Sequence, residues 1–301
     1  MRMLDDYLEL GVVAMARAAE DGWFSGHYGA ALLAGYFMSR DYELPEHVKE
    51  GIERTCESFR LLKPAWFVPL EKEEKADPTL LEAVIAGLGE NVKRLRTSGH
   101  GLALGVLALR ALRERPDLIQ PRIVTGLVTL LKATTEDRPN RYWGIPDYGM
   151  VTEDDISGIP SYQTPAAMAK HTFAELQTVI PNRVIDGQRY FFEGEVTHSI
   201  THADALTNLD RFGYVDLAQA GIRNHRVQMH LNRQRPDFVL DDEVKEPAFT
   251  SIFSPLYWEK TYRDPHALKL PYAALALLQQ LPEEERAEAE KNVCKILTIM
   301  E

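Results

Sequence analysis

Apolar residues recur at every third or fourth position through most of this sequence, and that spacing constrains the fold more than any other feature. Near the N-terminus it runs through Leu4, Leu8, Val12 and Met15. The period matches one face of an α-helix. Segments rich in Ala and Gly alternate with amphipathic ones, which predicts tightly packed inner helices and outer helices with a charged face toward water. We therefore predict an all-α fold of helical hairpins, arranged as an α/α toroid-like ring or a helical array.

Three stretches break the helical pattern. Residues 134–165 and 233–262 are rich in Pro and aromatic residues, and loops of this length often serve as lids or binding loops. A third break, near 183–192, places Asp186 and Gly187 between β-prone runs, which is the signal of a two-residue hairpin turn. We predict one helical domain over the whole chain, with two long irregular insertions and one small β-hairpin.

Charge and composition exclude several classes of protein. The chain carries 34 Lys and Arg against 45 Asp and Glu, a net charge of −11, which argues against binding to nucleic acid phosphates. No apolar run is long enough to cross a membrane, and charges interrupt the N-terminal stretch, so we expect neither a span nor a signal peptide. Cys56 and Cys294 lack a CxxC context, which favours reduced thiols in a cytoplasmic protein. The expected partner is a small-molecule substrate, and self-association stays open.

Histidines stand in a recurring context. Five of them lie at or near predicted helix starts and are followed by small or apolar residues: His27, His100, His171, His202 and His266. If the inner helices surround a central space, these side chains would collect at its mouth. An imidazole there can bind a metal, transfer a proton or donate to a ligand carbonyl. The alternative is that each histidine caps its own helix.

A denser group offers a metal site. Glu195, His198 and His202 fall at i, i+3 and i+7, on one face of a helix. Two histidines four residues apart on a helix can share a metal ion. A metal or haem bound by His198, His202 and Glu195 is therefore one alternative.

The remaining catalytic motifs do not point to one enzyme class. The sequence has no GxGxxG after a strand, no P-loop, no GxSxG and no HExxH, which argues against a dinucleotide-binding fold and these hydrolase classes. Asp154 and Asp155, with Glu193 and Glu195, are a further candidate for the acid/base pair of a sugar-processing helical toroid.

Short blocks across the chain carry a family resemblance. They are Ser98-Gly99-His100-Gly101-Leu102 running into Leu107-Ala108-Leu109-Arg110-Ala111-Leu112-Arg113, Asp264-Pro265-His266-Ala267-Leu268-Lys269, Thr197-His198-Ser199-Ile200-Thr201 with Ala205-Leu206, and His27-Tyr28-Gly29-Ala30-Ala31. Together they resemble the questin oxidase-like family, helical cofactor-poor oxygenases that act on polyketides. The chain departs from the family pattern at two places. The N-terminal block at His27-Tyr28 lacks the Pro-Met of the family, and His202 stands where the family has a small residue.

The resemblance implies a function and a set of catalytic residues. It implies a Baeyer–Villiger-type oxygenation of an aromatic or polyketide-like molecule, with NADPH as the reductant. The catalytic residues that it implies are His27, His100, His198 and His266, which would stabilise a developing enolate or peroxide.

The aromatic residues of the first insertion are candidates to stack on such a substrate. The predicted substrate-binding residues are Tyr28, Tyr142, Trp143, Tyr162 and His171. We expect an oxidoreductase. A His-ligated metal or haem enzyme, and a non-catalytic helical scaffold that binds a ligand or partner, are the alternatives.

Overall fold

The chain is almost entirely helical. A computed structural model describes residues 2–69, 74–136, 142, 145, 147–185, 187–234 and 246–300. The α-helices in these residues are α1 (Arg2–Ala18), α2 (Gly26–Asp41), α3 (Glu46–Leu62), α4 (Leu81–Asn91), α5 (His100–Glu114), α6 (Pro121–Ala133), α7 (Pro165–Ala174), α8 (Phe192–Arg211), α9 (Val215–Arg233), α10 (Pro255–Trp258), α11 (His266–Leu278) and α12 (Glu283–Ile299). The all-α prediction is confirmed.

The predicted β-hairpin is also present. Strand β1 (Arg183–Ile185) pairs antiparallel with β2 (Gln188–Tyr190), and Ile185 faces Gln188 across the turn. Gly187 has a φ of 78°, a left-handed conformation that glycine adopts without steric cost. The other predicted turn residue, Asp186, lies outside the described residues.

Four helices form the inner layer. α2 contacts α5, α5 contacts α8, α8 contacts α11, and α11 returns to α2, so the four close into a ring. Three of them, α2, α5 and α11, are Ala- and Leu-rich, whereas α8 carries more polar residues. Nearly every residue of α5 is buried. The amphipathic helices lie outside: α1 and α3 pack on α2, α4 on α5, α9 on α8, and α12 on α11. The predicted division into inner and outer helices is therefore observed.

The inner helices run in the same direction. At one end of the ring, α2, α5 and α11 begin close together. At the other end, Arg110 of α5 donates to Asp41 at the last residue of α2 and to the hydroxyl of Tyr272 on α11. A parallel inner ring needs outer helices to return the chain after each inner one, which explains the alternating sequence pattern.

Helix α11 continues through a proline. Pro271 predicts a kink because it lacks the N–H that would bond to the carbonyl of Ala267, four residues earlier. The helix is nonetheless unbroken from His266 to Leu278. The hydroxyl of Tyr257 donates to the Ala267 carbonyl at 2.9 Å and replaces the missing partner.

The two long insertions contain little regular structure. In the first, the described residues form short 3₁₀ turns at Tyr148–Met150 and Glu153–Asp155; in the second, they form α10. Within the described ranges, no helix combines the length and apolarity that crossing a bilayer requires.

Candidate functional site

One histidine from each inner helix reaches a common point at the end of the ring. The four are His27 in α2, His100 in α5, His198 in α8 and His266 in α11. Ring centroids are 4.6 Å apart for His27 and His100, 4.1 Å for His100 and His198, 5.1 Å for His198 and His266, and 5.0 Å for His27 and His266. The structure therefore brings together all four histidines that the sequence predicts as catalytic. We call them the four-histidine cluster.

Backbone carbonyls fix the orientation of two of these rings. His27 Nδ1 lies 2.8 Å from the carbonyl oxygen of Phe24, and His100 Nδ1 bonds to the carbonyl oxygen of Thr97. A carbonyl can only accept, so each Nδ1 carries the proton and each Nε2 keeps its lone pair. Both Nε2 atoms are buried and have no hydrogen-bond partner in the described part of the chain.

Carboxylates hold the other two rings. His266 Nδ1 lies 2.7 Å from Asp264 Oδ1, and His198 Nδ1 lies 3.5 Å from Glu195 Oε2. The two Nε2 atoms face each other at 3.2 Å. That distance is typical of an N–H···N hydrogen bond, in which one ring carries a proton on Nε2 and the other ring accepts it.

The cluster has the donor geometry of a metal site. His27, His100 and His266 each offer a ring nitrogen, and these atoms lie within 4.8 Å of one another. Metal-ligating histidines usually donate their other ring N–H to a carbonyl or carboxylate, which fixes the tautomer. All four histidines make that second contact. Imidazole ligands suit Zn, Cu, Fe and Ni.

Burial favours the neutral form of three of these imidazoles. It lowers the pKa of His27 and His100 well below the usual value, and nearby cationic groups, including Lys269, lower it further. The pKa of His266 is also lowered by burial and by Lys269, although Asp264 opposes this shift. Neutral imidazole is the form that binds metals.

A buried lysine lies beside the cluster. Lys269 follows His266 by one turn of α11, and burial lowers the pKa of its amine to about 7, against the opposing charge of Asp264. Its amine is therefore partly neutral near pH 7 and can hold or release a proton there. Lys269 is not among the site residues that the sequence predicts. The available signal was one lysine in an otherwise apolar helix, HALKLPYAALALL.

Two aromatic residues cover the cluster. Trp23 and Phe24 begin the 3₁₀ turn that precedes α2. The Trp23 ring lies 4.8 Å from that of His100, and the Phe24 ring stacks on His27 at 4.6 Å. Phe24 is 51% exposed, so this turn separates the cluster from solvent. These residues were also absent from the sequence-based set, because nothing in their spacing marks them.

The alternative ligand set His198, His202 and Glu195 does not assemble. His202 lies one turn further along α8, where its Nδ1 donates to Gln228 Oε1 at 2.8 Å and its ring packs against His225. The i, i+4 spacing places both histidines on one side of the helix but at different depths. His202 and His171 also differ from the prediction in position, since both lie within helices rather than at their starts.

The predicted substrate-binding residues that the structure describes lie away from the cluster. Tyr28 packs against Phe59 and Trp66, toward the outer layer. Tyr142 is buried beside Tyr148 and bonds to Asn232. Tyr162 lies between His171 and His225, and Trp143 lies outside the described residues.

The acidic pair considered for sugar chemistry has structural partners. Asp155 accepts from the backbone N–H of Thr152 at 2.8 Å and closes a capping box. Glu193 accepts from Asn182 and Thr197, both at 2.9 Å.

Comparisons with models of known protein families, with curated proteins and with solved structures find no match to this chain.

Proposed function

We propose that this chain is an oxidoreductase that binds a transition-metal ion with His27, His100, His198 and His266 and oxidises an aromatic small molecule. The observation that carries the proposal is the set of anchored imidazoles. Each Nδ1 is held by a carbonyl or carboxylate, the ring nitrogens of His27, His100 and His266 lie within 4.8 Å of one another, and His198 Nε2 contacts His266 Nε2 at 3.2 Å. Histidines that only capped helices would not need to aim their second nitrogen at one point.

The unsatisfied nitrogens argue against a purely structural role. A buried polar atom without a partner costs about 1–3 kcal/mol, and the Nε2 atoms of His27 and His100 are two such atoms in one place. His266 offers a third ring nitrogen, which lies with those of His27 and His100 inside a 4.8 Å group. One cation bound by these three histidines would satisfy both of the buried Nε2 atoms. This favours metal binding over the non-catalytic scaffold, although the closed packing around His27 is a feature that a scaffold would share.

The charge of the site favours an anionic oxygen ligand or substrate. Asp264 and Glu195, behind His266 and His198, offset part of the charge of a divalent ion, and neutral imidazoles offset none of it. The N-terminal ends of α2, α5 and α11 add positive potential, because each helix carries about half a unit charge there. A phenolate, an enolate or a reduced oxygen species fits this environment.

The type of oxidation rests on the resemblance to the questin oxidase-like family. It supports Baeyer–Villiger-type oxygenation of a polyketide-like ring with NADPH as reductant. A redox-active ion such as iron or copper would supply oxygen activation. The residues of the chain would orient the substrate through Trp23 and Phe24, exclude water by burial, and hold a proton on Lys269.

The test is metal content. Protein made without a histidine tag is analysed for metals and titrated with Co²⁺, beside the variant His27→Gln/His100→Gln. We expect one ion per chain in the wild type and loss of binding in the variant. His47→Gln is the matched control, because His47 also bonds a carbonyl, that of Phe253 at 2.7 Å, but lies away from the cluster.

If the protein binds no metal, a second function, metal-free acid–base catalysis, is favoured. If the wild type holds no stoichiometric metal and shows no Co²⁺ spectrum, the short contact between His198 and His266 is better explained by a shared proton. The cluster would then act by metal-free acid–base catalysis. His100→Ala and His198→Ala, alone and together, should in that case abolish the turnover of aromatic substrates with O₂. Unchanged turnover would remove both residues from the mechanism.

A further inference from the structure

The turn before α5 has an unusual backbone. Thr97, Ser98 and Gly99 have φ values of 43°, 53° and 82° in succession. Residues other than glycine avoid this left-handed region, and a β-branched residue such as threonine avoids it most. Strain of this kind persists only where surrounding contacts hold it, and it concentrates at functional sites.

Three hydrogen bonds hold this turn in place, and a fourth fixes the side chain that makes one of them. Thr97 donates its hydroxyl to the carbonyl of Thr134 at 3.0 Å, and its backbone N–H donates to the hydroxyl of Tyr148 at 3.2 Å. The Gln228 amide nitrogen donates to the carbonyl of Ser98 at 3.0 Å. The Gln228 amide oxygen accepts from His202 Nδ1 at 2.8 Å.

The ring of His202 touches the turn directly. A Cβ atom on Gly99 would lie 2.6 Å from His202 Nδ1, so only glycine allows this approach. His202 and Gln228 are both buried. They come from α8 and α9, and together they clamp the turn from one side.

The strained turn decides where the carbonyl of Thr97 points. That carbonyl accepts from His100 Nδ1 and so fixes the tautomer and direction of a proposed metal ligand. We infer that His202 and Gln228 are positioning residues: they hold the turn at 97–99 so that Thr97 presents its carbonyl to His100. This inference rests on the proposed function, in which His100 Nε2 binds the metal.

The substitutions are chosen to separate positioning from packing. Gln228→Leu and His202→Leu remove the clamp while keeping the side-chain volume close. His202→Asn is the conservative variant, because an asparagine amide nitrogen stands where His202 Nδ1 stands and can donate to Gln228. Asn224→Leu is the matched control. Asn224 is also a buried amide on α9, and it donates to the carbonyl of Val92 at 2.7 Å, away from the turn.

Two measurements are made on every variant. The first is imidazole ¹⁵N NMR of metal-free protein labelled on histidine, with the His100 signals assigned by His100→Gln. The second is the Co²⁺ dissociation constant and visible spectrum. We expect Gln228→Leu and His202→Leu to give mixed tautomers at His100, a changed spectrum, and a loss of Co²⁺ affinity of about 10- to 100-fold, as for other residues that orient metal ligands.

The controls decide the outcome. His202→Asn should restore the tautomer and most of the affinity, and Asn224→Leu should leave both unchanged even if the protein unfolds more easily. The inference is overturned if Gln228→Leu and His202→Leu keep the wild-type tautomer of His100. The NMR measurement needs no metal. A wild type that fails to bind Co²⁺ therefore refutes the proposed function, while the positioning of His100 is still decided by the NMR.

Discussion

Replacing Lys269 with methionine should make the metal-free protein more stable at neutral pH. Lys269 is 2% exposed on α11, and burial lowers the pKa of its amine from 10.5 to about 7. The unfolded chain therefore binds this proton more tightly than the folded chain does. A group of this kind opposes folding below pH 7, and the opposition disappears as the pH rises toward 10.5.

The size of the effect follows from the two pKa values. A difference of 3.5 between the two pKa values, at 1.36 kcal/mol for each pH unit, corresponds to about 5 kcal/mol at low pH and to about 4 kcal/mol at pH 7, where half of the folded amine is already neutral. At pH 10 the same expression leaves about 1 kcal/mol, because the unfolded lysine is itself losing its proton. Methionine keeps the length of the side chain and carries no charge. Lys269→Met should therefore raise the free energy of unfolding by about 4 kcal/mol at pH 7 and by far less at pH 10.

The assay is urea unfolding of chelator-treated protein at both pH values. Lys132→Met, at an exposed position on α6, controls for the loss of one charge and should change stability little. The reasoning is refuted if Lys269→Met is no more stable than the wild type at pH 7, or if its gain is the same at pH 10. Under the proposed function the same variant should lose activity while gaining stability, which is the pattern of a residue kept for chemistry.

Three further outcomes are expected. Burial raises the pKa of Asp204 to about 7, so the stability that depends on its protonated carboxyl is lost as the pH rises through 7. Asp204→Asn should therefore add about 4 kcal/mol to the free energy of unfolding at pH 8 and under about 2 kcal/mol at pH 5. A gain that does not depend on pH would contradict this. Binding of Co²⁺ should quench tryptophan fluorescence in the wild type, and Trp23→Phe should lose most of that quenching, because Trp23 lies against His100. Equal quenching in both proteins would place the ion elsewhere. Gly101→Ala should lower the free energy of unfolding in urea by about 1–3 kcal/mol, because the new Cβ would lie 1.9 Å from Asn91 Oδ1. A variant as stable as the wild type would show that α4 and α5 separate easily.

Much of the fold could be predicted because its cause is local. The spacing of apolar residues identifies a helix, and the alternation of Ala-rich and amphipathic segments identifies its layer. The hairpin was predicted by the same kind of local signal at Gly187. The unbroken α11 could not be predicted, because Tyr257, which satisfies the carbonyl freed by Pro271, lies in an insertion without a periodic pattern.

The candidate site also contains residues that the sequence predicts and residues that it does not. His27, His100 and His266 could be identified because each stands at the start of an inner helix, where a ring of parallel helices must bring them together. The relation between His198 and His202 could not, because helical spacing gives the face of a residue but not its depth in the ring. Trp23 and Phe24 were missed for a similar reason: a short 3₁₀ turn has no period, and only the tertiary structure places it over the cluster.

The four-histidine cluster joins parts of the chain that are far apart in sequence. Its members are separated by 73, 98 and 68 residues, so a bound ion would act as a four-way cross-link between distant segments. Closing such long loops is entropically costly and comes late in folding. We therefore expect the ion to contribute little to the folding transition state and much to the native state. Metal loading should slow unfolding while leaving the rate of folding nearly unchanged, so the ion would determine how long the folded protein survives rather than how quickly it forms.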